Sequence, residues 1–399
     1  MLDVTNIDLD RCTLLPKAFS WATAALDAIE VVASYGNTYA KGILPVRAFV
    51  EQGTRDDYRA KVASMPREAA ETLSEWTRRI FGRGDVCLVM NGLDAWSDAI
   101  SDIVRRSFSD RWVRTQGGPI GGIDVYAFMG SYPQTPFGVH KDLEHTFLFH
   151  LGPNVKLAFV WEMIPPSQVK ERGGFVDSEA FKAASFFELH AGDLLFIPAG
   201  MYHVLANPEF SVTLGVAPYD RPISSLVGDV VRDYVQSCAI SQVALKTIVD
   251  PRTSQLVGPE GQQVDLEPLI REMSARLNEE VALELRRLAS RGYAKYGPPE
   301  REISVAPDSE FSSGHHMLDV FKLGNAIHLL ARGYEYSVPL EAESDVTSFA
   351  TLMNRSGDWT LRKLADVGDF IRIDLIDTLV GQLCSIGALR LKESRHVPR

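Results

Sequence analysis

The sequence predicts an α+β protein in which an antiparallel β core covered by helices precedes a helical region and a small C-terminal domain. Strand-like runs separated by turn residues dominate residues 122–218. Long helical patterns follow, and the final segment shows three short helices before a strand. The predicted domains are therefore 1–220, with its core at about 122–218, then 221–300, a linker at 301–335, and 336–399.

Residues 1 to about 121 mix helical and strand-like segments. Pro66 to Ile80 has helical spacing, Val86 to Met90 is a short apolar strand, and Asp94 to Phe108 is amphipathic again. We expect these segments to cover the β core, because a sheet must bury its apolar face against another layer.

Two histidines and one aspartate form the most informative pattern in the chain. His140 and Asp142 are separated by one residue, so on an extended strand both side chains project to the same face. With His203 on an adjacent strand, they would form the facial triad that holds Fe(II) and leaves coordination positions open. Each histidine alone is more often a hydrogen-bonded core or surface residue. Glu144 and His145 are alternative ligands in a different metal chemistry.

The segment 192–207 makes this pattern specific. Its Gly, Pro, Gly, His and Asn residues match the second cupin motif, G-x5-P-x-G-x2-H-x3-N, at every fixed position. The glycines and Pro198 predict a tight turn before the strand that carries His203. A small-residue turn at 135–138 and a strand-like run from Thr146 flank the first two ligands. The match to this motif is a resemblance to the cupins, and that resemblance implies a double-stranded β-helix (jelly roll or cupin) core.

On these motifs, the region from about Gly122 to Pro218 resembles the cupin-like JmjC oxygenases. The resemblance implies that His140, Asp142 and His203 bind Fe(II) and that 2-oxoglutarate is the co-substrate. In that family a basic residue about fifteen residues after the first histidine pairs with the distal carboxylate of 2-oxoglutarate. Lys156 lies sixteen residues after His140 and is the residue that the resemblance assigns to this role. The alternative is an exposed lysine on an edge strand.

Three hydroxyl groups are candidates for binding the same carboxylate. If the strand continues from Asp142, alternation places Thr146 on its metal-facing side. Tyr126, on the preceding strand-like run, and Thr213, on a later one, are the other two candidates. Ordinary strand packing is the alternative for each of them.

Length and composition agree with a large globular enzyme. The chain has 399 residues, 45% of them hydrophobic, which suffices for two or three domains. No apolar run approaches the roughly 18 residues of a membrane span, and the N-terminus lacks the order of a signal peptide, so we expect a cytoplasmic protein. The four cysteines are scattered, which predicts reduced thiols and no cysteine zinc site.

The net charge of −11 bears on the class of partner. Nucleic-acid binders carry a dense basic face, and no such run is present, so we expect no nucleic-acid partner. A neutral or basic substrate is favoured. The nearest basic cluster, with Arg105, Arg106, Arg111 and Arg114, is small and typical of a solvated face.

An apolar stripe marks the helical region. Its members recur at helical spacing and are Leu269, Ile270, Met273, Leu277, Val281, Leu285 and Leu288. Such a stripe needs a partner surface, either within the chain or on a second copy. Pro/Gly/Ser-rich stretches at 297–301 and 306–314 then predict the linker.

The C-terminal segment predicts a winged helix. Helices are expected from Ser344 to Met353, from Thr360 to Asp366 and from Asp374 to Cys384, before a strand at 388–391. The third helix carries Asp374 and Asp377 and no basic face, so DNA recognition is not expected. The order of oxygenase core, helical dimerisation region and winged helix resembles the ribosomal oxygenases, the JmjC subfamily that hydroxylates protein side chains. That resemblance implies a homodimer.

These features together predict an Fe(II)- and 2-oxoglutarate-dependent dioxygenase that hydroxylates an unactivated C–H bond of a peptide or protein side chain. The alternative substrate is a free amino acid or a natural-product intermediate, since the motifs do not distinguish the two. The alternative of another class is a non-catalytic cupin-like interaction protein.

Overall fold

The computed structural model describes residues 7–35, 46–51, 53–54, 56–82, 84–163, 181–237, 248–249, 256–257, 267–368 and 370–392. The strands are β1 (Thr13–Leu15), β2 (Val46–Val50), β3 (Gly53–Thr54), β4 (Val86–Met90), β5 (Ile123–Tyr132), β6 (Thr146–Pro153), β7 (Lys156–Trp161), β8 (Ser185–Leu189), β9 (Leu194–Ile197), β10 (Tyr202–Pro218), β11 (Ile248–Val249), β12 (Leu256–Val257), β13 (Phe311–Ser313), β14 (Asp319–Leu323), β15 (Ala326–Ala331), β16 (Tyr334–Pro339), β17 (Gly357–Trp359) and β18 (Arg390–Leu391). The α-helices are α1 (Ala22–Ala33), α2 (Asp56–Ser64), α3 (Leu73–Phe81), α4 (Leu93–Trp96), α5 (Asp98–Val104), α6 (Asp110–Gln116), α7 (Ile223–Ser237), α8 (Glu267–Ser290), α9 (Glu343–Met353), α10 (Leu361–Val367) and α11 (Ile373–Ser385). A π-helical turn at Arg105–Ser109 joins α5 to α6, and a 3-10 turn at Leu340–Ala342 precedes α9.

The long strand β10 joins two antiparallel layers. The larger layer has the order β1-β9-β6-β10-β5-β4-β2-β3, and β10 also pairs with β7, which in turn pairs with β8. The first part of β10 lies beside β7, with His203 opposite Val160, and its second part lies between β5 and β6. A register shift between Asn207 and Ser211 separates the two parts. Apolar side chains of both layers, among them Leu148, Val160 and Leu205, pack together between them.

Helices from the first part of the chain cover the larger layer. Trp76 of α3 and Phe108 of the π-helical turn are fully buried in the same core cluster as Phe147 of β6. Helix α3 begins after Thr72 because this residue and Glu75 form a capping box, with Glu75 N donating to Thr72 Oγ1 at 3.2 Å. The helix is therefore shorter than the predicted segment from Pro66, whereas strand β4 has the predicted bounds.

The helical region contains the predicted long helix. Helix α8 packs against α7 and, near its C-terminal end, against β14 and β15. Leu283 and Leu288 are buried there, but Leu285, which belongs to the predicted stripe, is 38% exposed. Ile270, near the start of α8, is 52% exposed. Among the described residues of the stripe, Leu288 is therefore buried by the chain itself, whereas Ile270 and Leu285 are exposed.

The segment expected to be a linker, 301–335, is instead folded. It contains β13, β14 and β15; β14 and β15 form a three-stranded sheet with β16, and β13 pairs with β17 and β18. The Pro/Gly/Ser-rich residues around 306–314 lie before and within this structure. Turn-forming residues are as typical of hairpins as of linkers, and the sequence pattern did not separate the two.

Three helices follow in the C-terminal part, close to their predicted positions. Thr360 caps α10 by accepting a hydrogen bond from Lys363 N at 3.1 Å. Ser344 lies inside α9, whose N-cap is Ala342 and has no side-chain cap. Phe311, Phe349 and other apolar side chains form a separate core for this part of the chain.

No helix in the described part of the chain is long and apolar enough to cross a membrane. Cys12, Cys87 and Cys384 are free thiols, and burial raises the pKa of each to about 12. Cys238 lies outside the described residues.

Candidate metal centre

Two backbone hydrogen bonds hold His140 and His203 against each other. His140 N donates to His203 O at 3.1 Å, and His203 N donates to His140 O at 2.8 Å. His140 follows the predicted turn, in which Gly138 N donates to Thr135 O at 3.0 Å, and His203 is the second residue of β10. The two imidazole rings consequently lie 4.4 Å apart, as measured between their centroids.

Asp142 completes the group. Its Oδ1 lies 3.7 Å from His140 Nε2, and its Oδ2 lies 3.5 Å from His203 Nε2. The expected continuous strand is absent here, since β6 begins only at Thr146 and Asp142 lies in a loop. Its position depends instead on Gly200, whose N donates to Asp142 O at 2.7 Å and whose φ of 78° favours glycine.

Both histidines present the same nitrogen to the aspartate. The Nδ1 of His140 lies 2.9 Å from Gly138 O, and the Nδ1 of His203 lies 3.1 Å from Met201 O. A carbonyl oxygen only accepts, so Nδ1 carries the proton and Nε2 keeps a free lone pair. Burial and the neighbouring His140 lower the pKa of His203 to about 4, so its imidazole is neutral near pH 7.

The three side chains fit a divalent transition metal. One ligand atom from each of His140, Asp142 and His203 can be chosen so that all three lie within 4.8 Å of one another. Two neutral imidazoles and a carboxylate are the donor set that suits Fe(II) with open coordination positions. The His140 and Asp142 side chains are 29% and 30% exposed, and they face a cavity of about 750 Å³.

The alternative ligands, Glu144 and His145, do not join this group. Glu144 lines the cavity and hydrogen-bonds with Tyr219, and burial raises the pKa of its carboxyl. His145 faces Trp112 and Phe196, and its Nδ1 accepts from Ala199 N at 3.2 Å. Within the described residues, neither belongs to a set with metal-binding geometry.

The cavity has two chemically different walls. One is aromatic, with Phe49, Phe128 and Phe137, and the Arg47 guanidinium lies 5.4 Å from the Phe137 ring centroid. The other is polar and contains Asp124, Tyr126, Glu144, Thr146 and Tyr219. The metal ligands lie at the same cavity, which therefore offers a metal-bound molecule both apolar and hydrogen-bonding contacts.

Two of the three predicted hydroxyl donors line this cavity. Thr146 Oγ1 is buried beside Tyr126 and, among the described residues, has no partner with full hydrogen-bond geometry, so it can donate to a bound oxygen ligand. Burial raises the pKa of Tyr126, which keeps its hydroxyl protonated and able to donate. The Tyr126 ring lies across Gly215, where a Cβ would come within 2.1 Å of it. Thr213 does not line the cavity, and its hydroxyl lies 3.1 Å from His150 Nδ1.

Lys156 is fully buried inside the barrel, which excludes the exposed edge-strand alternative. Its Nζ donates to Tyr132 Oη and to Asn207 Oδ1, both at 3.0 Å. Within the described residues it has no carboxylate within 4 Å, and burial lowers its pKa to about 7. The register places Leu157 opposite Ala206 and Val160 opposite His203, so Lys156 shares the interior face with the metal ligand.

Sequence reasoning missed the partners of this lysine. Asn207 is the last position of the motif, and its amide donates to Gly130 O at 3.1 Å, which turns the amide oxygen toward Lys156. Tyr132 has the same strand parity as Tyr126 on β5, a signal that could have identified it. These residues form a polar layer at the inner end of the barrel.

A residue from the helical region also reaches the cavity wall. Beyond α8, Lys295 N donates to Ile123 O at 2.9 Å, and Lys295 Nζ lies 3.0 Å from Asp124 Oδ2. The same ammonium lies 3.7 Å from the Tyr219 ring centroid. Gly122 makes room for this contact, because a Cβ there would lie 2.7 Å from Lys295 Cα. The polar wall therefore depends on the contact between Asp124 and Lys295, which lie 171 positions apart in the chain. A local sequence pattern cannot predict such a contact.

The metal ligands can be tested by titration. We expect His140→Ala and His203→Ala to weaken Fe(II) binding more than about 100-fold, because each variant loses a direct ligand. Anaerobic calorimetry with Fe(II), or with Mn(II) as a redox-stable probe, measures this. His145→Ala is the matched control and should bind metal as the wild type does. Undiminished affinity in both ligand variants would refute the site.

The Lys295–Asp124 pair can be tested by unfolding. The Asp124 side chain is 6% exposed, so Lys295→Met leaves a buried carboxylate without its cation. We expect a loss of about 2 kcal/mol in the free energy of unfolding, less than for a fully buried pair because Lys295 is 27% exposed. Asp124→Asn in the same background should recover most of it. Urea unfolding measures both; an unchanged midpoint in Lys295→Met contradicts the expectation.

Comparisons with known proteins place the fold. No family model matches the sequence, and the curated proteins include no match. The solved structure of the Escherichia coli ribosomal oxygenase YcfD is similar, with 16% identity, coverage of 96% of this chain and 95% of that one, and a TM-score of 0.50. YcfD in complex with cobalt and 2-oxoglutarate gives a TM-score of 0.47 at 16% identity over 96% and 95% of the two chains. The non-heme α-ketoglutarate-dependent epimerase SnoN is 12% identical over 53% of this chain and 79% of its own, with a TM-score of 0.33. The chain therefore shares the fold of the ribosomal oxygenase YcfD over nearly its whole length.

Proposed function

We propose that this protein is an Fe(II)- and 2-oxoglutarate-dependent dioxygenase that hydroxylates an unactivated C–H bond of a peptide or protein side chain. The observation that carries the proposal is the convergence of His140, Asp142 and His203, with both Nε2 atoms directed at the carboxylate, beside a cavity of about 750 Å³. A fold shared with a ribosomal oxygenase supports it.

The protein's own groups then have separate tasks. His140, Asp142 and His203 hold the metal, and Lys156, deeper on the same interior face, holds the distal carboxylate of 2-oxoglutarate. Thr146, with its buried hydroxyl at the cavity, donates a hydrogen bond to the co-substrate. Fe(II) with 2-oxoglutarate supplies the activation of dioxygen, which no side chain provides. The protein orients the two substrates and excludes water from the site.

A ligand carboxylate suits the surroundings of Lys156. A fully buried ammonium with two neutral oxygen partners is costly, because burial disfavours the charged form. A bound carboxylate would supply the missing counter-charge and form a charge-assisted hydrogen bond. Tyr126, which lines the cavity, remains a second candidate donor to the co-substrate, and Thr213 is a weaker one because its hydroxyl already lies against His150.

The accessible side of the cavity favours a neutral or basic side chain of a larger molecule. Glu144 lies on its polar wall and would repel an anionic side chain placed beside it, whereas Lys295 neutralises Asp124 on the same wall. Leu143, between Asp142 and Glu144, is 90% exposed and offers an apolar contact outside the cavity. Contacts that extend past the metal suit a polypeptide better than a free metabolite.

Turnover distinguishes the enzyme from an interaction protein of the same fold. With Fe(II) and ascorbate, the wild type should convert 2-oxoglutarate to succinate, whereas His140→Ala should not and His145→Ala should retain the activity. Purified ribosomal proteins should stimulate the conversion more than a mixture of free amino acids. Absence of any succinate above the His140→Ala background would assign the chain to the interaction class.

The proposed role of Lys156 predicts that the affinity for 2-oxoglutarate depends on pH. Its ammonium loses the proton as the pH rises through about 7, so 2-oxoglutarate should bind about tenfold more weakly at pH 8 than at pH 6. Lys156→Met should weaken binding by on the order of 3 kcal/mol at pH 6 and should lose this dependence. Calorimetry on the Mn(II)-loaded protein measures both effects. The same slope in wild type and Lys156→Met would move the role to another basic residue.

We also propose that the helical region dimerises and that the C-terminal part is a winged helix. Ile270, in the first half of α8, is exposed in the part of the chain that the structure describes, and a second copy is the proposed partner that covers it. Helices α9 to α11 with β13, β17 and β18 supply the elements of a winged helix. Acidic residues on α11 argue against nucleic acid as its partner.

The dimer predicts a specific disruption. Ile270→Glu with Leu277→Glu places charges on the first half of α8 and should give a folded monomer, because buried unpaired charges oppose association. Sedimentation at micromolar concentration, with circular dichroism as the folding check, measures this. Val31→Glu, which changes an exposed valine of α1, is the control and should remain dimeric. A monomeric wild type would contradict the proposal.

A further inference from the structure

A second, smaller cavity lies where three parts of the chain meet. It has a volume of about 210 Å³ and is lined by α4, α5 and the π-helical turn, by the end of α8 and the segment that follows it, and by the segment that precedes β14. It shares no lining residue with the metal cavity, and the proposed function uses none of its residues.

Two buried polar atoms on different walls of this cavity have no hydrogen-bond partner among the residues that the structure describes. They are Asp94 Oδ1, from α4, and His316 Nε2, from the segment before β14. Asp94 is only 6% exposed. Buried polar atoms in folded proteins are almost always paired with protein, water or a ligand. The contents of the cavity must therefore supply these partners.

Three arginines line the cavity, and they differ in whether a carboxylate already pairs with their guanidinium group. Arg332 lies 3.0 Å from Asp98, and Arg105 lies 3.2 Å from Asp110. Arg291 donates its Nε to Ala294 O, and within the described residues no carboxylate lies within 4 Å of its guanidinium. Glu284 and, more weakly, Asp94 act on Arg291 electrostatically, but among the described residues neither lies within ion-pair distance of it. The cavity thus holds one carboxylate and one guanidinium that do not meet.

A ligand that satisfies both groups must carry opposite charges. A phosphate or a dicarboxylate would meet Arg291 but would be repelled by Asp94, and a metal cation would be repelled by the three arginines. Burial and the nearby Asp124 raise the pKa of the Asp94 carboxyl to about 7, and a neighbouring ammonium group would lower it again.

We propose that this cavity binds a small α-amino acid. Its ammonium group donates to Asp94, its carboxylate accepts from Arg291, and a polar side chain reaches His316. The volume is below the roughly 300 Å³ at which drug-sized ligand sites begin, which fits a ligand of this size.

Binding to the full chain tests this directly, without metal or 2-oxoglutarate. Calorimetry with glycine, serine, asparagine and glutamine, each up to about 10 mM, detects dissociation constants in the millimolar range. We expect saturable binding of at least one of them. Its N-acetyl derivative and its carboxamide should bind at least about tenfold more weakly, because each lacks one of the two charges.

Variants separate this site from general effects on folding. Asp94→Asn and Arg291→Gln should each weaken binding at least about tenfold, since each loses a charge-assisted hydrogen bond. Asp27→Asn, on the exposed face of α1, is the matched control and should bind as the wild type does. Thermal unfolding of each variant without ligand shows that it is folded, and if Asp94→Asn is not, Arg291→Gln carries the test.

Three results would overturn the proposal. The first is an absence of saturable binding by all four amino acids. The second is equal binding of the N-acetyl and carboxamide derivatives. The third is wild-type affinity in both Asp94→Asn and Arg291→Gln. In each of these cases the cavity holds water alone or a ligand of different chemistry. Because metal is absent from the assay, these results are independent of whether the chain is a dioxygenase.

Discussion

The metal centre depends on the pair of backbone hydrogen bonds between His140 and His203. These bonds join a loop after β5 to the start of β10 and set the separation of the two imidazoles before any metal is present. Gly200 adds a third backbone bond, to Asp142 O, and thereby places the carboxylate without a strand. Carbonyl acceptors at both Nδ1 atoms then direct both Nε2 atoms to one point. The site is pre-organised by the backbone, which reduces the conformational entropy lost on binding metal.

Strand β10 passes from one layer to the other, and polar side chains lie at both ends of the part that faces the interior. Along its interior face, His203 lies near the open end and Asn207 lies at the inner end, with Leu205 between them. The apolar middle layer excludes water, so the ammonium of Lys156 at the inner end is poorly solvated and its pKa falls to about 7. The same desolvation that makes this cation costly strengthens its attraction for a carboxylate. The burial of Lys156 and its proposed binding of a carboxylate would thus follow from the same position between the two layers.

The features that could be predicted from the sequence are those fixed by residues close together in the chain. The two motifs that carry His140, Asp142 and His203, the turn before β10 and the helix that begins after Thr360 all follow from local spacing, whereas the expectation that the two motifs meet came from the family resemblance. The strand expected to run on from Asp142 does not form there, because the Asp142 carbonyl accepts a hydrogen bond from Gly200 N and not from a neighbouring strand. Residues 301–335 were mistaken for a linker because hairpin turns and linkers have the same composition. Tyr132 and Lys295 were missed because their partners are set by the fold and not by local spacing.

The contact between Lys295 and Asp124 shows that the predicted domain boundary near residue 220 does not divide the site. Asp124 belongs to β5, yet the cation that neutralises it arrives from the segment after α8 and also covers Tyr219. A glycine at 122 lets the two backbones approach, and Ile123 bonds to this segment on both its N and O atoms. Removing the helical region would leave a buried carboxylate unpaired beside the metal cavity, which is unfavourable. The barrel and the end of α8 are therefore one structural unit, and a change in the position of α8 would act directly on the wall of the metal cavity.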